Sequence, residues 1–252
     1  MRRSFAAWAT GIALGLACAA FGQVQTSVRE WRESAFKKFA LGEFEAAIPD
    51  LKMLIGTLKD VKTSQGLAEL EILQYNLGIA YFLTGQFTQA EATFQTYCKK
   101  YPNAARVAAA HVYVGDSLRF AGKHAEAVKA YRAALAKFRY VPDIRTDIHA
   151  GIARCHLAMD EWDAAREPLY QAFLCAPDAL RRNRAVTLLV TAFLKTRDLG
   201  SLYPLFPYLL RRDSQASRSI AFNLSALEAG DDLFADERYR EALWIYRLVF
   251  PY

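Results

Sequence analysis

The chain has 252 residues, 53% hydrophobic and 23% charged, with 13 Gly and only 8 Pro. That balance excludes a disordered chain and fits one or two folded domains. The formal charge of +6 is spread over 32 basic and 26 acidic residues, and the densest basic cluster (Arg181, Arg182, Arg184) has no aromatic interleaving, which argues against a nucleic-acid partner.

The chain opens on Arg2 and Arg3, followed by "SFAAWATGIALGLACAAFG", with no acidic residue before Glu30. A basic tip, a short apolar run and small residues near its end read as a secretory signal peptide. Residues 1–22 are therefore expected to be removed, leaving 30 basic and 26 acidic residues on an exported protein. The run lacks a clear span of ~20 apolar residues and does not read as a membrane anchor. Cys18, in "LGLAC", stands where a bacterial lipoprotein would carry its acyl chains, although Gly15 occupies a position that is usually Leu-like. Membrane association is expected only if Cys18 is lipidated. Of the remaining cysteines, Cys98, Cys155 and Cys175, none forms a CxxC pair. An oxidising compartment would allow one disulfide, and small buried hydrophobes are the default reading.

From about residue 29 one pattern recurs. "WRESAFKKFALGEFEAAIPDLKML" turns at Gly42, "YNLGIAYFLTGQFTQAEATFQ" at Gly85 and "VYVGDSLRFAGKHAEAVKAYRAAL" at Gly122. "GIARCHLAMDEWDAAREPLYQAF" turns at Asp160, and "LEAGDDLFADERYREALWIYRLVF" at Glu237. The first four turns are spaced by 43, 37 and 38 residues, and the 77 residues to Glu237 leave room for one degenerate unit. About six antiparallel helix pairs follow, near 29–62, 65–103, 104–141, 143–177, 179–212 and 216–252, within a solenoid spanning 23–252. Gly78, Gly115 and Gly230, with Ala35 and Ala153, remove bulk where a first helix approaches its partner. Phe87, Ala90, Phe94 and Tyr97 recur at spacings of three and four, the stripe of an amphipathic second helix. Each hairpin leaves an apolar side that stacking on the next would cover. Pro49 and Pro168 fall within predicted second helices and should bend them. Pro204 and Pro207 should shorten or break the second helix of the fifth unit. The ending "LVFPY" lacks a polar capping helix, which suggests a truncated solenoid or an end buried against a partner.

Leu77, Gly78, Tyr81, Gly85, Phe87, Ala90, Phe94 and Pro102 stand at the spacing of the tetratricopeptide repeat signature. Val114, Gly115, Gly122, Ala127 and Tyr131 match it again, as do Ala153, Trp162, Ala165, Leu169 and Pro177. The sequence from about residue 29 onward thus resembles that family. The resemblance implies an all-α solenoid, a right-handed superhelix whose first helices line a concave, partner-binding groove. Carried onto this chain, the lining would be Phe36, Phe39, Tyr75, Ile79, Phe82, Val112, Asp116, Arg119, Phe120, Arg154, Leu157, Asp231 and Phe234. Its first half is apolar and aromatic, suited to an apolar or amphipathic segment of a protein or peptide. The same side chains would alternatively be covered by neighbouring helices or by the N-terminal tail. Lysine and asparagine of the family's carboxylate clamp are not matched at Tyr75 and Ile79; Asn76 is a partial match. The signal peptide with these repeats implies a Gram-negative periplasm. The "KKYP" ending of the second unit is similar to repeats of envelope-assembly lipoproteins, which would place an acylated chain at the outer membrane.

Catalytic chemistry finds little support. No HExxH, GxSxG or phosphate-binding glycine loop occurs. His111 and His149 are 38 residues apart at equivalent repeat positions, and His149 and His156 share a helical face beside Cys155. Packed histidines explain this pattern better than a metal pair. No cofactor, metal or enzymatic activity is expected.

Overall fold

The computed structural model describes residues 29–196, 198, 200–201 and 220–250. The expected signal peptide with Cys18, and the second helix of the fifth hairpin with Pro204 and Pro207, lie outside the described residues. Every regular element among the described residues is helical. The helices are α1 (29–40), α2 (Phe44–Leu58), α3 (Ser64–Leu83), α4 (Phe87–Lys100), α5 (Val107–Phe120), α6 (His124–Lys137), α7 (Pro142–Ala158), α8 (Trp162–Cys175), α9 (Ala179–Lys195), α10 (Ile220–Ala235) and α11 (Tyr239–Val249). No helix among the described residues is long and apolar enough to cross a membrane.

Five connections are one and the same turn. Gly42, Gly85, Gly122, Asp160 and Glu237 all have left-handed backbone, with φ of 78°, 75°, 78°, 57° and 60°. At each, two backbone bonds close the helix end: Gly85 N–H donates to the Phe82 carbonyl at 3.2 Å and Gln86 N–H to that of Tyr81 at 2.8 Å. The Asp160 turn repeats this, with bonds to Leu157 at 3.2 Å and from Glu161 to His156 at 2.9 Å. This double closure satisfies carbonyls that the helix end would leave open, and it needs a residue that tolerates positive φ. Glycine does so without strain, and Asp160 and Glu237 do so at a cost.

The chain divides into two compact units, one ending at Ala110 and the other beginning at His111, within α5. In the first, α2 packs on α3 and α3 on α4, around Leu51, Leu54, Leu70, Leu73, Phe94 and Tyr97. Polar ties hold α1 in place: Arg32 donates to both Glu69 oxygens at 2.6 and 2.8 Å, and Ser34 and Lys38 donate to Asp50 at 2.6 and 2.7 Å. In the second unit contacts run in series from α6 through α7, α8, α9 and α10 to α11. Thr146 Oγ1 donates to the Cys175 carbonyl at 2.7 Å, fixing the start of α7 to the end of α8. Pro49 and Pro168 lie within α2 and α8, and each helix continues past its proline.

A single packing rule links the two helices of a hairpin. A small residue on the first helix faces the residue sixteen positions later on the second. A Cβ at Gly78 would meet the Phe94 ring at 2.8 Å, one at Gly115 the Tyr131 ring at 2.5 Å, and one at Gly230 the Tyr246 ring at 2.4 Å. Where the small residue is alanine, the equivalent partner is leucine: Ala35 with Leu51 and Ala153 with Leu169, all buried. Bulk on the two sides is thus exchanged at nearly constant total volume, as close packing demands.

Candidate functional site

The residue that follows each small packing residue stands at the outer edge of this contact. In chain order these are Phe36, Ile79, Asp116, Arg154 and Asp231, and what each does depends on its neighbour sixteen residues after the small one. Tyr131 reaches past Gly115 and its hydroxyl donates to Asp116 Oδ1 at 2.7 Å. Tyr246 likewise reaches past Gly230 and donates to Asp231 at 2.5 Å. Phe94 has no hydroxyl, and the matching position holds Ile79. Leu169 is shorter still, and the matching position holds Arg154.

In the first unit, Phe36 is 42% exposed, and Phe39 packs edge-on against Phe44 with ring centroids 5.0 Å apart. Ile79 is half-buried. Tyr75 and Phe82, expected to look into the concavity, spend much of their rings on their own hairpin. Tyr75 lies 5.8 Å from Phe94 and 5.5 Å from Tyr97, with the Arg106 guanidinium 5.8 Å over its face, and Phe82 lies 5.8 Å from Phe87. Tyr81, one of the residues at signature spacing, has Lys52 of α2 over its ring at 5.5 Å. Helical periodicity identifies an apolar face but not which neighbour covers it. Glu71 accepts from the buried Tyr97 hydroxyl and pairs with Arg106 at 3.3 Å. Burial and then this hydrogen bond raise the Tyr97 phenol far above its ordinary pKa.

In the second unit, Asp116 and Arg119 are engaged with each other. Arg119 donates to Asp116 Oδ1 at 2.9 Å, beside the bond from Tyr131. Burial, then the Asp116 charge, keep the Tyr131 phenol protonated. Phe120 is 51% exposed, with the Arg119 guanidinium stacked 3.9 Å from its ring centroid. Arg154 belongs to a different setting. It lies on the rim of a cavity of about 180 Å³ between α7 and α9. Arg181 and Arg184 of α9 line the same cavity, together with Asp147. The Asp178 side chain caps α9 by accepting from the Arg181 N–H at 2.7 Å, and it also pairs with the Arg181 guanidinium at 3.1 Å. Neither Arg154 nor Arg184 forms an ion pair with a described residue. The sequence offered Arg181 and Arg184 only as a surface cluster; their approach to Arg154 depends on helix packing across some 30 residues.

The histidines and thiols have structural surroundings. His149 is buried, and its pKa is lowered first by burial and then by Arg145. His156 Nδ1 lies 2.6 Å from Glu161 Oε2. Cys98, Cys155 and Cys175 are free thiols, and burial pushes Cys155 up to about 11. Among the described residues no group of three or more His, Cys, Asp or Glu side chains could hold a metal ion.

Family models for the tetratricopeptide repeat match residues 73–104 and 115–185. No curated protein matches the chain. Among solved structures, the apo form of RapI aligns with a TM-score of 0.60 at 12% identity, over 88% of this chain and 96% of that one. A tetratricopeptide repeat protein from Parabacteroides merdae aligns at 0.56 and 14% identity, over 89% of this chain and 79% of its own. MamA aligns at 0.51 and 16% identity, over 83% and 94%. At such identities these are likenesses of fold. Three of the five identical turns, those at Gly85, Gly122 and Asp160, fall within these matches, and the same turn recurs on either side of them at Gly42 and Glu237: residues 73–104 and 115–185 of the chain are tetratricopeptide repeats.

Proposed function

We propose that the protein is a non-catalytic scaffold that binds a protein or peptide partner along the first helices of its hairpins, in the periplasm after removal of residues 1–22. The observation that carries this reading is the variable position beside each small packing residue. The hairpin needs the glycine or alanine itself, yet the next residue is Phe36, Ile79, Asp116, Arg154 or Asp231. Phe36, with Phe120 on the first helix of another hairpin, leaves about half of a large apolar side chain in water. Aromatic anchors of this kind supply much of the energy of protein interfaces. The expected N-terminal signal supports export, and the mixed surface charge supports a protein partner rather than a polyanion.

The test uses the full-length chain in a Gram-negative envelope. Site-specific photo-crosslinking from Phe36, Ile79 and Phe120 is expected to retrieve a discrete partner. Substituting the three residues together by serine should abolish capture while leaving the far-ultraviolet circular dichroism unchanged. Retrieval of no partner, or undiminished capture by the folded triple variant, sinks the scaffold reading. Fractionation tests the location independently: full-length, uncleaved protein confined to the cytoplasm would remove the periplasmic assignment.

A further inference from the structure

We infer that the cleft between α7 and α9 binds an acidic segment of a protein partner, which seats one apolar side chain in the cavity and sets its carboxylates against Arg154, Arg181 and Arg184. The inference rests on the scaffold reading and specifies the chemistry of one of its surfaces.

The cavity has a definite origin in the packing rule. One hairpin earlier, the Tyr131 ring fills the space between Gly115 of α5 and Gly151 of α7, since a Cβ on either glycine would lie 2.5 Å from it. Leu169 holds the equivalent place on α8 and stops short of that volume. The opening that results is floored by Ala150, Leu169, Ala172, Ala185 and Leu188 and rimmed by the three arginines. In the Tyr131 and Tyr246 hairpins an aspartate beside the small residue receives a tyrosine hydroxyl; here no hydroxyl is present, and the position carries a cation.

Size and charge select the occupant. About 180 Å³ is below the roughly 300–1,000 Å³ of small-molecule sites and matches one large side chain. An apolar floor therefore accepts a single residue of a longer partner. Two local carboxylates, Asp147 and Asp178, stand against three guanidiniums, and Arg154 and Arg184 have no ion-pair partner among the described residues. Guanidinium groups bind carboxylates through paired, charge-assisted hydrogen bonds, which gives direction as well as attraction. No aromatic side chain lines the cleft to stack a base, so single-stranded nucleic acid lacks its usual platform.

The experiment is fluorescence anisotropy on the mature full-length chain with two labelled peptides blocked at both ends, GEELEEG and its neutral counterpart GQQLQQG. The acidic peptide is expected to bind about tenfold more tightly, with an advantage that shrinks between about 50 and about 500 mM salt as screening sets in. Arg154→Gln with Arg184→Gln, both at exposed sites, should remove most of that advantage. Leu169→Phe combined with Ala153→Gly, which reproduces the Gly78/Phe94 pairing of the second hairpin, should weaken both peptides by filling the cavity, without loss of helicity. Equal affinity for the two peptides overturns the inference and leaves the scaffold reading intact, as does acidic-peptide binding that neither variant changes. If neither peptide binds, the inference falls, and envelope crosslinking through Phe36, Ile79 and Phe120 decides separately whether the scaffold reading falls with it.

Discussion

Replacing Gly115 with alanine tests the packing rule most directly. The added Cβ would lie 2.5, 2.6 and 2.8 Å from three atoms of the Tyr131 ring, where carbon atoms normally sit about 3.5–4.0 Å apart. The ring must move by about 1 Å, and it has nowhere to go. Gly151 of α7 bounds the ring as well, so closely that a Cβ there would also lie 2.5 Å from it, and the hydroxyl is held by Asp116 at 2.7 Å. Overpacking of this kind costs about 1–3 kcal/mol, and loosening a hydrogen bond to a charged group adds about 1.5–3 kcal/mol. The intrinsic helical preference for alanine returns about 1 kcal/mol. A net loss of about 1.5–5 kcal/mol is expected in urea unfolding followed by circular dichroism. The decisive measurement is a double-mutant cycle with Tyr131→Leu, which reproduces the Ala153/Leu169 pairing of the next hairpin. In that background Gly115→Ala should cost almost nothing, giving a coupling of about 2 kcal/mol or more. Additive losses would show that the glycine serves something other than this ring.

Two further outcomes follow from the turns and from two histidines, the half-buried His111 and the buried His149. Asp160→Gly and Glu237→Gly should each raise stability by about 1 kcal/mol by relieving left-handed backbone, whereas Gly85→Ala should lower it by a similar amount although its Cβ would meet nothing within 4 Å; the urea midpoint reads all three. Burial, then the neighbouring Lys137 or Arg145, lowers the pKa of His111 and His149, so the unfolded chain takes up protons first as pH falls below about 6.5. Stability from this source should be flat above that pH and decline below it. A thermal-melting titration should show a shallower decline for His149→Gln, and an unchanged slope would contradict the assignment.

How much was legible depended on whether the determining contact is local. The turn at Asp160 was readable without a glycine because its place in the repeat is fixed by the helices on both sides, and the left-handed backbone follows from that place. Gly78, Gly115 and Gly230 were readable as points of close approach because a missing side chain between two apolar helices has few other uses. Tyr75 and Phe82 were harder. Both lie on an apolar stripe wide enough to touch either the hairpin partner or open space, and only the helix crossing decides between Phe94 and solvent. The Asp116 network was in principle visible, since Gly-Asp followed fifteen residues later by Tyr occurs twice, at 115–131 and 230–246. Arg154 with Arg181 and Arg184 was not, because no spacing rule brings α7 and α9 into register before the hairpin between them is packed.

The adjustable part of each hairpin is therefore narrower than its exposed surface suggests. The small residue and its partner sixteen positions later are bound together by volume, so neither varies alone. The residue after the small one is free only where that partner brings no hydroxyl. Tyr131 and Tyr246 spend Asp116 and Asp231 on holding their own rings, and the Tyr131 ring in return fills the space between α5 and α7. Phe94 and Leu169 make no such demand, and beside them stand Ile79, which is apolar, and Arg154, which is charged and opens onto a cavity. Recognition in this solenoid should then draw on the residue after the small one only where the second helix is least elaborate, and in a hairpin with a tyrosine at that point partner contacts pass to other exposed side chains such as Phe120.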